Sequence, residues 1–150
     1  NTDRTIMTGT PNYDPNNVFA KILRGEIPSH RVHEDVHTVA FMDVMPQGPG
    51  HTLVVPKGAC RNLLDADGAT LAAVWPVVQK IARAVKVAFA ADGVTVMQFN
   101  EAAGGQVVFH LHYHVMPRHT GVPLKPHTGT MEKADILAGN AAKIRDALKS

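Results

Sequence analysis

Cysteine is almost missing from this chain: Cys60 is the only one in 150 residues. That excludes an intrachain disulfide and any cysteine-built metal cluster, and it suits a reducing compartment. Aromatic residues are scarce at 5%, and charged residues reach only 19%. Neither sign of charge dominates. The 15 Lys and Arg against 13 Asp and Glu give +2, too little to mark a nucleic-acid or membrane partner. No apolar run approaches the roughly 18 residues of a membrane span. The polar stretch Asn1 to Pro15 lacks the apolar centre of a secretory signal. There is no internal repeat and no low-complexity tract. These absences point to a cytoplasmic protein. Against them stands an ordinary globular balance, 45% apolar, in a length that suits one compact domain.

What the chain has in plenty is histidine. Nine occur, and three fall within five residues, His110-Leu111-His112-Tyr113-His114. Local signals give their setting. Residues 1–16 read as a flexible arm and residues 17–150 as a single domain. Asn17 can cap a short helix, Val18 to Arg24, that Gly25 stops. Arg31 to Glu34 and His37 to Asp43 are β-prone runs around a turn at Glu34-Asp35, and they predict a hairpin. The stretch from Met45 to Gly50 is loop, and His51 to Val55 is a third strand ended by Pro56. Asp65 or Asp67 opens the main helix. Its apolar residues Leu71, Val74, Val78, Ile81, Val85 and Phe89 keep helical spacing, and Gly93 closes it. Pro76 is expected to kink its first turns. Val94 to Phe99 and Val107 to Met116 are strands joined by the glycine-bearing loop Glu101 to Gln106, and Pro117 ends the second. A C-terminal helix from about Glu132 to Leu148 puts Ile136, Ala141, Ile144 and Leu148 on one side. Short connections make the neighbouring strands antiparallel. The expected class is α+β: about five antiparallel strands with a long central helix and a C-terminal helix, the helices on one face.

Alternate residues of a strand share a face, so His110, His112 and His114 are predicted to point one way, about 6–7 Å apart. Leu111, Tyr113 and Val115 point into the core. Three readings fit such a row: polar surface residues of a half-buried strand, a metal site, or nucleophilic catalysis at phosphorus. A metal site needs a further ligand nearby, and no carboxylate follows His114 within fifteen residues. A neutral imidazole, with an ordinary pKa of about 6.5, is a good nucleophile at neutral pH. Gly104 and Gly105, just ahead, permit close approach of an anion to backbone amides, although they also suit an ordinary turn.

The pattern His110-Leu111-His112-Tyr113-His114-Val115-Met116 resembles the signature of the histidine triad (HIT) family of nucleotide hydrolases and transferases. Further segments resemble the family in order: Phe19-x-x-Ile22, Gly25-Glu26-Ile27-Pro28, Ala40-Phe41-x-Asp43, Pro46-x-x-Pro49-Gly50-His51, Leu53-Val54-Val55-Pro56-Lys57, and Asn100 followed by Gly104-Gly105-Gln106-x-Val108. The resemblance covers about residues 17–119 and is strongest to the branch of histidine triad nucleotide-binding proteins, which act on purine nucleoside phosphoramidates.

That resemblance implies a nucleophilic His112 that forms a nucleotidyl-histidine intermediate, oriented by the backbone carbonyl of His110. It implies that His114 and the backbone of Gly105, Gln106 and Val107 hold the α-phosphate, with His51 close by. Asp43 would take the ribose hydroxyls. Phe19, Ile22, Phe41, Val44 and Leu53 would wall the base pocket, and Asn100 would lie near phosphate and ribose. Each also has a plain structural reading: core for the apolar residues, turn or strand end for Asp43, His51 and Asn100. His30, His33, His37, His119 and His127 read as structural or surface residues. The resemblance further implies a purine nucleotide ligand, a homodimer, and no obligatory metal or other cofactor. A structural zinc is not expected, because Asn17-Val18-Phe19-Ala20 stands where many bacterial relatives carry Cys-x-x-Cys, and Ala59 lies where they place a histidine. Val107 stands where Ser or Thr is frequent, so the leaving group must find its proton elsewhere. Position 42 is Met rather than His, and a C-terminal Trp-Pro segment is missing. Within the same family, a dinucleoside polyphosphate hydrolase or a non-catalytic nucleotide-binding regulator are the alternative expectations.

Overall fold

A computed structural model of the chain describes residues 12–126 and 129–150. Most of the expected arm, residues 1–11, and His127 lie outside them. Among the described residues five strands form one antiparallel sheet: β1 (Arg31–Glu34), β2 (Thr38–Met42), β3 (Thr52–Pro56), β4 (Gly93–Met97) and β5 (Tyr113–Arg118), in the order β1-β2-β3-β5-β4. Among the described residues three α-helices accompany it: α1 (Val18–Leu23), α2 (Gly68–Ala88) and α3 (Ala134–Leu148). The α+β expectation holds. None of the described helices is long and apolar enough to cross a membrane.

Local chemistry explains the element ends. Asn17 caps α1 by accepting from the Ala20 amide at 2.9 Å, and Gly25 leaves it at φ +80°. The Asp35 carboxylate accepts from the amides of His37 and Thr38 at 2.8 and 2.9 Å, which closes the first hairpin. Asp67, rather than Asp65, caps α2 through the Thr70 amide. Pro76 sits well inside α2, which stays one continuous helix. Its ring faces solvent, so the bond it forgoes is an outer one that water can replace.

Several boundaries differ from the sequence reading. Gly93 opens β4 and does not close α2; the reversal between them falls to Ala90, at φ +48°. Pro117 lies inside β5, paired with Val94. It is tolerated because β3 pairs only as far as Val115, so at Pro117 the strand is flanked by β4 alone. On α3 the buried residues are Leu137, Ala141 and Ile144, while Ile136 is exposed.

Alternation along β2 divides the interior in two. Ala40 and Met42 join Val54, Tyr113, Val115 and the buried faces of α2 and α3. Val39 and Phe41 join Leu53, Val55 and the α1 residues Phe19 and Ile22. The helices therefore do not all share a face. Two long ones cover one side of the sheet, and the six-residue α1 sits on the other.

Candidate active site

β5 begins at Tyr113, so His114 is the only triad histidine on a strand. It pairs with Leu53 of β3 and Met97 of β4. His110 and His112 precede the strand. Instead of a ladder, their segment is tied to the chain beyond β3: the Leu111 amide donates to Cys60 O at 2.9 Å. The Pro56 carbonyl, which could have extended the ladder, faces His110 Nε2 at 2.8 Å. Leu111 and Tyr113 still enter the helical core, as alternation requires. The three imidazoles separate. His110 is sealed from solvent, and His112 lies against the Phe19 ring edge at 4.8 Å and 5.0 Å from the His114 ring.

Partner chemistry settles the ring protons. His110 Nε2 faces a carbonyl and must donate. Burial pushes the His110 imidazole down to about 4, so it is neutral near pH 7 and its Nδ1 accepts, here from the Tyr13 hydroxyl at 2.6 Å. His112 Nδ1 lies 2.7 Å from the His110 carbonyl and must donate, which leaves Nε2 with a lone pair. Burial also lowers the pKa of His112, against the opposing pull of that carbonyl. His51 Nδ1 accepts from the Gln47 amide at 3.1 Å, so its proton is on Nε2. That nitrogen donates to His114 Nδ1 at 2.9 Å, with Asp43 Oδ2 at 3.4 Å. His114 then carries its proton on Nε2. The result is a bare nitrogen on His112 beside an N–H on His114.

Asp43, His51 and His114 offer three ligand atoms within 4.8 Å of one another, close enough to hold a metal ion. A neutral His51 binding metal through Nε2 would need its proton on Nδ1, directly against the Gln47 N–H. As arranged here, the three side chains form a chain of hydrogen bonds.

A model of the HIT domain matches residues 24–121. The chain belongs to the HIT family. It is 39% identical over 126 residues to "Protein hit" of Bacillus subtilis, covering 81% of this chain and 87% of that one. A crystal structure of a Hit-like protein from Bartonella henselae, described as involved in cell-cycle regulation and solved with an unknown ligand, superposes with a TM-score of 0.85. It is 60% identical and covers 90% of this chain and 98% of its own. A HIT family hydrolase from Clostridium thermocellum gives a TM-score of 0.62 at 32% identity, covering 72% and 95%.

Within this HIT domain the other expected site residues fall into distinct settings. Phe19, Ile22, Phe41 and Leu53 form one buried cluster beside His112. Val44, one residue past Asp43, packs partly against the opposite, helical core. Asp43 is buried, and its Oδ1 accepts from the Met45 amide at 2.9 Å. Asn100 is engaged with its own loop: it exchanges two 2.9 Å bonds with Gln98 and accepts from the Leu63 amide. The Gln106 side chain is fully committed. It accepts from Asn62 and the Glu101 amide and donates to the carbonyls of Arg61 and Val108. It braces the loop, leaving only its backbone for a ligand. Gly105 is exposed at φ +99°, where a Cβ would come within 3.2 Å of the Phe99 ring. The Val107 side chain is 78% exposed. Gly50, just before His51, is at φ +86°, and a Cβ there would meet the Phe89 ring at 2.6 Å. Of the remaining histidines, His33 bonds Asp35 and His119 bonds the Phe89 carbonyl.

Sequence reasoning missed Tyr13, Gln47, Arg61, Asn62 and Glu101. Arg61 holds Glu101 through two 2.9 Å bonds and lies 4.2 Å over the Phe109 ring. Asn62 is 1% exposed and bridges Glu101 to Gln106. The only available signal was charge complementarity across 40 residues, which no local pattern reveals. Gln47 acts through its amide, so its side chain carried no signal.

Proposed function

We propose that the chain is a purine nucleotide hydrolase or nucleotidyl transferase that works at the α-phosphate, most simply on nucleoside phosphoramidates. The observation that carries this reading is the unprotonated His112 Nε2 with its opposite nitrogen locked to the His110 carbonyl. His112 Nε2 attacks phosphorus in line. The N–P bond forms, the bond to the leaving amine breaks, and the amine leaves with the electron pair. The His112 ring keeps its Nδ1 proton and becomes cationic, and the His110 carbonyl is placed to stabilise that charge. His114 Nε2–H and the backbone amides of residues 105–107 hold the phosphate oxygens. Val107 has no hydroxyl and points outward, so the amine takes its proton from solvent. Water then attacks phosphorus, the N–P bond breaks, and a nucleoside monophosphate leaves, with one water proton passing to bulk solvent.

In the same reading Asp43 takes the ribose hydroxyls, and Phe19, Ile22, Phe41 and Leu53 contact the base. Two copies join through their sheets. β4 is a sheet edge with Val96 exposed, and it suits that contact.

The test is turnover of adenosine phosphoramidate by wild type and His112→Asn, with circular dichroism to check folding. We expect the variant to fold and to lose at least about 10³-fold in kcat. Rapid quench of the wild type is expected to yield protein heavier by one nucleotidyl group. Near wild-type turnover by the variant overturns the assignment. Faster turnover of diadenosine polyphosphates than of the phosphoramidate would move the substrate to that class.

A further inference from the structure

We propose that Tyr13 is a positioning residue for His112, acting through His110; the proposal rests on the reading of His112 as the attacking group. Tyr13 lies ahead of residues 24–121, which the HIT-domain model matches. Its hydroxyl donates to His110 Nδ1 at 2.6 Å, and the two rings meet edge-on at 5.5 Å. On the far side of the same ring, Nε2–H donates to Pro56 O. Both nitrogens of a fully buried imidazole are thus engaged. A half-turn of the ring would set a carbon against each partner, so the orientation is locked. The backbone of that locked residue supplies the carbonyl that fixes the His112 proton on Nδ1.

Tyr13 is itself held. Arg61 Nη1 donates to Asn12 O at 3.0 Å, and Arg24 Nη1 donates to Pro15 O at 2.7 Å. Asn17 closes on Asp14 O through both its amide and its side chain. Residues 12–16 therefore form a strap over His110, where the sequence predicts part of an arm. The Arg61 guanidinium that grips Asn12 also grips Glu101 and covers Phe109, the neighbour of His110. Arg61 thus links the strap to the Glu101 loop and to the residue before His110. Burial raises the Tyr13 pKa, so the phenol remains a donor at neutral pH.

Tyr13→Phe removes the hydroxyl and keeps the ring. Ring-nitrogen NMR of the full chain reads the consequence directly. Wild type is expected to show His110 protonated at Nε2 alone and His112 at Nδ1 alone, the latter exchanging slowly with water. In Tyr13→Phe the His110 signal loses its single-tautomer form and the His112 Nδ1–H exchanges faster. With adenosine phosphoramidate, kcat falls about 10-fold while KM stays within about twofold. Unchanged ring signals overturn the proposal, and so do altered signals with an unchanged kcat. If wild type turns over no phosphoramidate, the functional reading fails on its own, and the ring signals still decide whether Tyr13 holds His110 and, through it, His112.

Discussion

The two faces of the sheet are finished by different physics. Under α2 and α3 the cover is mainly apolar side chains, with Val74, Ile81, Val85, Leu111, Ala141 and Ile144 fully buried beside the Tyr113 ring. On the α1 face a small cluster around Phe41 is completed by imidazoles, an amide brace and a phenol. The first face is held by packing, which tolerates solvent changes that leave apolar burial intact. The second is held by proton positions, and these depend on pH and on single atoms. The His112 Nε2 lone pair lies on the second face, where each ring has its proton fixed by a partner.

Three measurements can break or sharpen that contrast. The largest effect is expected from Ile81→Ala on the packed face. Truncating this fully buried side chain should cost about 4 kcal/mol in urea unfolding, with kcat of the folded fraction unchanged. A parallel loss of kcat would show that the faces are coupled. Acid should act on the other face. His110 is held near 4 when folded and returns to about 6.5 when unfolded. The unfolded chain therefore binds the extra proton first, and stability present above about pH 6.5 is lost as pH falls toward 4. The loss is on the order of 3 kcal/mol. Unfolding curves at several pH values, for wild type and His110→Asn, should show a weaker acid slope in the variant; equal slopes would remove His110 from the account. The smallest effect is expected from Gln106→Leu, which removes one hydrogen bond from each of four buried or half-buried partners. It should cost about 2 kcal/mol and should lower kcat as well, because the Gly105 to Val107 backbone loses its brace. Lost stability with full kcat would separate that loop from the chemistry.

Much of the fold was legible because its signals are local. Asn17 and Asp67 cap the helices as their residue types suggest, and the 3.6-residue spacing of Val74, Val78, Ile81 and Val85 found the face that α2 buries. The triad was legible as a motif, and its membership in the HIT family followed from motifs along the whole domain. What stayed hidden depends on distant partners. Alternation assigned all three histidines to one strand, yet the Pro56 carbonyl draws His110 out of the ladder. Pro117 reads as a strand end because sequence does not reveal that β3 stops short beside it. The polar stretch before Asn17 reads as an arm because the partners of Tyr13 and Asn12 lie 97 and 49 residues away.

The Gln47 amide fixes the His51 proton, and through it the His114 proton, while the glutamine side chain only ties the loop to the Lys125 carbonyl. Control of this kind is indifferent to residue type. Any amino acid except proline could stand at position 47 and deliver the same N–H, provided the loop kept its path. A position that drifts freely among related chains can therefore be indispensable to them. The constraint would show only as one forbidden residue, and a deep survey of variants at position 47 would register it as tolerance with a single gap.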